Sequence, residues 1–327
     1  LLDLVERSRF DFIVPGCTDV SYEVASTIGF SEYPGLDSLE TFSSLRNKSD
    51  FHELAMRFGI PTPPVLSRDQ ACGCAAVIVK PVDSFSGRGI SLIRNGSESE
   101  ITRAVDTADG CSVSGKSLIQ EYVDGQLYSY SAFVRDRGIV ADFIVQEDCI
   151  EDPFAVDVSR VCREFSESLL QHLRKGFEAL SDCLQLEDGL IHCQFIASGH
   201  QYWVIEMTRR CPGDLYSELI ELSTGYPYAD AYLASFIGET IPEKGGDTGD
   251  LIIRHTVSEC RVNNLFGLSF GRSLEIPLFV PLKRCGDPIE RDSNKRAALL
   301  FIKNATMAEQ DEVYEAFRRG TICRAVC

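Results

Sequence analysis

Apolar and polar positions along the chain switch repeatedly between the two-residue period of strands and the 3.6-residue period of helices. Residues 10–16, FDFIVPG, make a short apolar run closed by Pro-Gly, which predicts a parallel strand opening into a loop. Residues 19–30 carry helical spacing. Leu36 to Phe58 holds two more helical segments split near Asn47-Lys48; the second starts on a Ser49-Asp50 cap and stops at Gly59. The proline-rich stretch 60–67 is the clearest boundary. Beyond it the pattern predicts strands over 75–81 and 90–95, a helix over 98–108 and a strand over 117–123. Alternation on both sides of Asp136-Arg137-Gly138 predicts a hairpin over 127–146, and a second hairpin over 189–210 turns at Ser198-Gly199-His200. Helices are expected over 166–185, 215–225, 228–238 and 311–319, the last among short strands. Strands and helices intermingle, so the class is α/β or α+β.

Composition narrows the picture. The chain has 327 residues, 44% hydrophobic and 25% charged, enough for two domains or one elaborated domain. The net charge of −17 argues against a nucleic-acid partner. No apolar run reaches about 18 residues, so no membrane span is expected. The N-terminus, LLDLVERSRFDF, lacks a signal-peptide core. The thirteen cysteines include one C-x-C, Cys72 and Cys74, with no second close pair at zinc-finger distance. They read as reduced residues of a cytoplasmic protein.

Three stretches bear on chemistry. In VIVKPVDSFSGRGIS, residues 77–91, Lys80 sits at a strand end before a loop of Ser84, Ser86, Gly87, Arg88 and Gly89. Small residues let backbone N–H groups wrap an anion, although such a loop also reads as an ordinary turn. In IQEYVDG, Glu121 closes a strand; its carboxylate can accept from an adenine amino group while the following backbone meets the ring edge, and it equally fits a plain strand end. In CQFIASGHQYWVIEMTRR, Gln194 and Glu206 face each other across a hairpin. A Glu inside WVIEM needs a partner if buried. Mg²⁺ suits it, with Arg209 and Arg210 beside a metal-bound phosphate; a structural Glu–Arg pair is the other reading. CPGDLYSEL, 211–219, sets Gly213 and Asp214 where a helix begins, an anion or amine site. Arg160, Arg254 and His255 are further candidates or solvated loop residues.

Taken in order, Lys48 before the proline-rich linker, Lys80-Pro81 before the Gly loop, Glu121-x-x-x-Gly, then Gln194 and Glu206-x-x-Arg on a hairpin resemble the ATP-grasp superfamily. The likeness spans about residues 10–240 and is nearest to one half of the carbamoyl-phosphate synthetase large subunit, with Thr224-Gly225-Tyr226-Pro227 as a further match. The resemblance implies two α+β lobes clasping ATP: a partial Rossmann-like domain over 1–46, an ATP-grasp domain over 47–240 with a small lobe over 66–122, and a C-terminal α+β region over 241–327. By this likeness much of the first domain is lacking, so the chain is truncated or that domain abbreviated. The likeness also implies that Lys48 and Lys80 reach the phosphates, with Ser86, Gly87, Arg88 and Gly89 as a flap. Glu121, Tyr122 and Val123 hold adenine; Gln194, Glu206 and Thr208 hold Mg²⁺ or Mn²⁺; Arg210 and Arg209 steady the transferred phosphate. Two departures stand out: Thr208 replaces an asparagine, and Leu127 and Tyr128 replace an acidic ribose contact. The implied reaction activates a small carboxylate as an acyl-phosphate for attack by an amine, releasing ADP and phosphate. Alternatives are a carbamoyl-phosphate-synthetase-like subunit and a nucleotide-binding module without turnover. The likeness is compatible with a homodimer.

Overall fold

The computed structural model describes residues 7–8, 10–29, 31–85, 87–258, 263–289 and 295–326. The elements run α1 (Asp19–Gly29), α2 (Leu39–Arg46), α3 (Lys48–Arg57), α4 (Arg68–Ala71), β1 (Ala76–Pro81), β2 (Ser91–Arg94), α5 (Glu98–Cys111), β3 (Ser117–Glu121), β4 (Gln126–Arg135) and β5 (Gly138–Asp148). Then come β6 (Val158–Val161), α6 (Glu167–Leu184), β7 (Gly189–Ser198), β8 (Gln201–Thr208), α7 (Tyr216–Thr224), α8 (Tyr228–Ile237) and β9 (Leu251–Ser258). The chain closes with β10 (Asn263–Asn264), β11 (Gly267–Phe270), β12 (Glu275–Pro281), β13 (Pro288–Ile289), β14 (Arg296–Asn304), α9 (Met307–Arg318) and β15 (Cys323–Val326). It divides into two units. The first holds the residues up to Asp142, Glu164–Gly213 and Ala229–Lys244; the second holds Phe143–Arg163, Asp214–Tyr228 and the residues from Gly245 on.

In the first unit, β2, β1 and β3 form an antiparallel sheet in that order. Val77 and Val79 of β1 meet Ile101, Ala104, Val105 and Ala108 of α5 in one apolar cluster. Helix α5 starts on a capping box between Ser97 and Glu100. Strand alternation then aims Lys80 at the opposite face from Val79. The hairpin of β4 and β5 turns on Asp136 and Arg137, both at positive φ. This matches the type I′ geometry that right-handed strand twist favours. Strand β7 pairs with β4 on one side and β8 on the other. Tyr130, Cys193 and Met207 share one face of this ladder and are buried, with Tyr130 stacked on Phe177 of α6.

In the second unit, β9 pairs with β6 and β14, and β14 pairs with β12, all antiparallel. Helix α9 covers this sheet through Val313, Tyr314 and Phe317. The fold is therefore α+β, built from antiparallel ladders.

Two expectations change. The strand predicted over 10–16 is absent: the segment forms no ladder, and Phe10, Phe12 and Val14 stay exposed. Its Pro15 carbonyl takes the Tyr232 hydroxyl instead of a strand partner. Arg160, read as a candidate or solvated loop residue, lies on the strand β6.

A buried ion pair ties the segment before α2 to the end of β8. Arg209 is 1% exposed, and its Nε donates to Asp37 Oδ2 at 2.6 Å. Its Nη1 donates to the Leu190 carbonyl and its Nη2 to the Glu187 carbonyl. Asp37 also accepts the Tyr22 hydroxyl and the Glu187 amide. Gly35, just before it, has φ +76°, and a Cβ there would lie 2.4 Å from the Ser235 carbonyl oxygen. Replacing Asp37 by Leu strands the guanidinium without a counter-charge and is expected to lower stability by about 3–5 kcal/mol. Urea unfolding reads this directly, and the double change with Arg209→Met should recover most of the loss.

Candidate active site

Lys48 owes its position to a helix boundary. Asn47 ends α2 and begins α3, its side chain accepting the Ser49 and Asp50 amides. The cap is thus Asn47 and not the Ser49-Asp50 pair expected, which makes Lys48 the first residue of α3. Lys48 is buried; its Nζ donates to the Ser84 carbonyl at 2.8 Å and lies 3.3 Å from Glu206 Oε2. Lys80, also buried, donates from Nζ to the Ile205 carbonyl at 3.1 Å. That carbonyl is presented by a bulge: β7 and β8 pair Gln194 with Glu206 but Phe195 with Val204, so Ile205 has no opposite number.

The same register builds a polar surface. Ser129, Gln194 and Glu206 lie abreast on β4, β7 and β8, and Ser131, His192 and Thr208 lie abreast two residues along. All six point to one face, opposite the apolar face under α6. Ser131 Oγ is hydrogen-bonded to His192 Nδ1 at 2.8 Å. Burial, then the nearby Arg210, draws His192 down to about 3 against the pull of Asp19, so it is neutral. Thr208 donates its hydroxyl to Asp19 Oδ1 at 2.9 Å, and Arg210 Nε donates to the same oxygen at 3.0 Å.

Charge is unevenly distributed here. Burial, then Lys48, lowers Lys80 from 10.5 to about 7, and Glu206 only partly restores it. Partial burial pushes the Glu206 carboxyl up, but Lys48, Lys80 and Arg210 outweigh this and hold it below its ordinary value. Two ammonium groups therefore share one carboxylate.

Several expectations need revision. Glu206 is not a lone buried carboxylate: its side chain is 43% exposed and its partner is Lys48. Arg209 does not join the cluster, because strand alternation sends it into the core with Asp37; Arg210 does join it. Tyr122 donates its amide to the Ala76 carbonyl, so that N–H cannot also meet a ring edge, and its ring lies under Arg94. Glu121, exposed, and Val123 lie at and just beyond the end of β3. In the loop, Gly87 and Gly89 both have positive φ, and a Cβ on Gly89 would strike Pro81 and Cys111. Arg88 is exposed, and Ser86 lies outside the described residues. Asp214 is engaged by Arg296 at 2.5 Å and by Arg254, both of the second unit. Arg254 and His255 are buried on β9, not solvated; Arg160 pairs with Asp311.

Sequence reasoning missed Asp19, whose place in the first turn of α1 reads as helix chemistry. It missed Asp83, which anchors the glycine loop by accepting from Ser112 Oγ and the Val113 and Ser114 amides. His192 gave a signal, two residues before Gln194 and therefore on its face.

As oxygen ligands for a hard cation, Gln194, Glu206 and Thr208 fit Mg²⁺, which commonly binds through one or two carboxylates plus phosphates. Among the described residues no group of three or more His, Cys, Asp or Glu gathers.

No protein-family model and no curated protein matches the sequence. Solved structures do match the fold. An L-amino acid ligase from Bacillus licheniformis superposes with a TM-score of 0.77 at 15% identity, covering 99% of this chain and 84% of that one. The biotin carboxylase domain of a 2-oxoglutarate carboxylase from Hydrogenobacter thermophilus, a dimer in complex with MgADP and bicarbonate, gives 0.74 at 15% identity, covering 100% and 77%. A phosphoribosylglycinamide synthetase from Anaerococcus prevotii gives 0.72 at 15% identity, covering 99% and 84%. The fold is the ATP-grasp fold, as the order of motifs implied. No helix among the described residues is long and apolar enough to cross a membrane.

The lowered Lys80 value carries a stability consequence. Below pH 7 the ammonium is protonated folded and unfolded, so the burial penalty is fully present; between about 7 and 10.5 the unfolded chain binds more protons and stability rises with pH. Lys80→Met is thus expected to be more stable than the native chain at pH 6, by about 2–4 kcal/mol. The gap should narrow in urea titrations at pH 9.5.

Proposed function

We propose that the chain is an ATP-dependent ligase. It activates a small carboxylate, an amino acid among the candidates, as an acyl-phosphate for attack by an amine. The observation that carries this reading is the pair of buried lysines with a single carboxylate between them, on the polar face of an ATP-grasp fold. Uncompensated buried positive charge is costly and is relieved by an anion; a polyphosphate is the anion this fold accommodates in its neighbours, one of which holds MgADP.

In this reading Lys48 and Lys80 neutralise phosphate oxygens, and Gln194, Glu206 and Thr208 would hold Mg²⁺. Bound there, Mg²⁺ supplies charge neutralisation and orientation of the phosphates. Mn²⁺ meets the same oxygen ligands. Ser86, Gly87, Arg88 and Gly89 cover the phosphates and exclude water, with Asp83 as the loop's fixed end. Glu121 and Val123 meet the adenine edge. The substrate carboxylate attacks the terminal phosphorus, the bond to ADP breaks, and Arg210 steadies the phosphoryl oxygens. The amine then attacks the acyl carbon and phosphate leaves. The small lobe is assigned to 66–122. The dimeric neighbour supports a homodimer. The absence of any disulfide among the described cysteines supports a cytoplasmic location.

A second reading, a nucleotide-binding module without turnover, draws on the engagement of both Thr208 and Arg210 by Asp19. Hydroxylamine separates the two. With MgATP and a panel of carboxylic acids, the ligase yields a hydroxamate and stoichiometric ADP, whereas MgATP binding by calorimetry with no acid-dependent ADP favours the module. Lys80→Met and Glu206→Ala are expected to cut ADP formation by at least about 100-fold while circular dichroism stays native.

A further inference from the structure

Strands β11, β12 and β14 of the second unit border a half-open cavity of about 440 Å³. Phe266 and Phe270 line it around β11, Ile276 and Phe279 on β12, and Ala298 on β14. Ala298 is buried, while the three phenylalanines are exposed. Clustered exposed apolar side chains mark interaction surfaces or ligand grooves. Lys283 is the one charged residue among the described residues that line the cavity.

The turn that carries Lys283 is fixed to two neighbours. The Leu282 and Lys283 amides donate to the Ala297 carbonyl of β14 at 2.9 and 3.1 Å, and the Gly286 amide donates to the Leu265 carbonyl, just before β11, at 2.6 Å. Lys283 is half-buried, and its Nζ donates to the Pro288 carbonyl at 2.9 Å. An ammonium has three donors, so two remain. Asp287 Oδ2 accepts the Arg284 amide at 2.8 Å. Neither Lys283 nor Arg284 forms an ion pair among the described residues, although the chain has 49 acidic residues against 32 basic ones. A cation held in place before binding loses little freedom when an anion arrives.

These features select the occupant. The volume falls within the range of about 300–1,000 Å³ found for small-molecule sites. The lining calls for an apolar body, and Lys283 for one anionic end. A nucleotide or sugar would bury hydroxyls against phenylalanine without partners. A neutral hydrocarbon would leave the ammonium unused. A second copy adding its strand to β12 is disfavoured. That strand is an edge, paired with β14, but its Pro277 and Pro281 have no N–H to donate.

We propose that this cavity binds a free alkyl carboxylate of medium chain length, its chain against Phe266, Phe270 and Phe279 and its carboxylate on Lys283. Removing the chain from water supplies most of the affinity. The charge-assisted hydrogen bond to the ammonium fixes which end lies at the turn. The site needs neither nucleotide nor turnover. All its lining residues belong to the second unit, whereas Lys48, Lys80 and Glu206 belong to the first. The inference therefore stands or falls apart from the ligase reading.

The test is calorimetry of the full chain with decanoate, below its micelle concentration and without ATP. Saturable binding is expected, with affinity rising about two- to fourfold per methylene from hexanoate to decanoate. Lys283→Met should weaken decanoate about tenfold, to the level of decanol, with circular dichroism unchanged, and Lys283→Arg should keep the affinity. Cys285, exposed and lining the cavity, is a built-in reporter: decanoate should slow its alkylation by iodoacetamide and leave that of Cys72 unchanged. Decanol binding the native chain as tightly as decanoate, uptake without saturation, or equal Cys285 alkylation with and without decanoate overturns the proposal. Failure of decanoate to bind, together with a dimer in sedimentation that Phe279→Asp abolishes, assigns the face to a second copy. The same failure with cosedimentation on anionic vesicles assigns it to a lipid surface, and either result also overturns the proposal.

Discussion

The two-residue period of one strand end governs the site. From Glu206 to Arg210 the side chains leave the backbone on alternate faces, so Glu206 and Thr208 stay on the polar surface while Met207 and Arg209 enter the core. The phase is set by the bulge at Ile205. A slip of one residue there would exchange the faces, sending Glu206 into the core and Arg209 out of its pairing with Asp37. The bulge also turns out the carbonyl that receives Lys80. Two adjacent arginines of the same chemistry therefore do different work: Arg209 braces the fold, and Arg210 stands at the cluster.

The cluster is electrostatically unsettled by construction. Lys48 sits at the N-terminal end of α3, where the helix dipole already favours negative charge. Lys80 is buried beside it, and Glu206, less buried than either, is the carboxylate paired in the cluster. A chain with a net charge of −17 repels anions at long range, so attraction has to be local, and burial makes it so by removing screening. In the proposed reading, the lowered Lys80 value is the stability cost of keeping a site ready for an anion.

Local chemistry was the legible part of the sequence. The helix that begins after Ser97, both hairpins and the cross-ladder pairing of Gln194 with Glu206 follow from period and turn residues alone. The order of Lys48, Lys80, Glu121, Gln194 and Glu206 pointed to the fold that the structural likenesses bear out. What stayed hidden depends on contacts far apart along the chain. The apolar run at 10–16 looks like a strand, but a strand needs a neighbour, and none of the described residues pairs with it. Arg209 and Arg210 cannot be told apart without Asp37 and Asp19, more than 170 positions away. Arg254 and His255 read as solvated because polar residues usually are; here a buried strand carries them.

Asp19 joins these threads. A threonine hydroxyl has one proton and two lone pairs. Giving the proton to Asp19 fixes the Thr208 rotamer, and the Arg210 amide donates to the Thr208 hydroxyl oxygen at 3.4 Å. An asparagine at this place would offer a carbonyl oxygen one bond further out and leave Asp19 to Arg210 alone. With threonine, one carboxylate orients both the hydroxyl on the polar face and the guanidinium beside it. Any anion that draws Arg210 forward has to compete with Asp19, and in doing so it releases the Thr208 hydroxyl to turn. Arginine engagement and the geometry of the oxygen set are therefore coupled through a single side chain on α1.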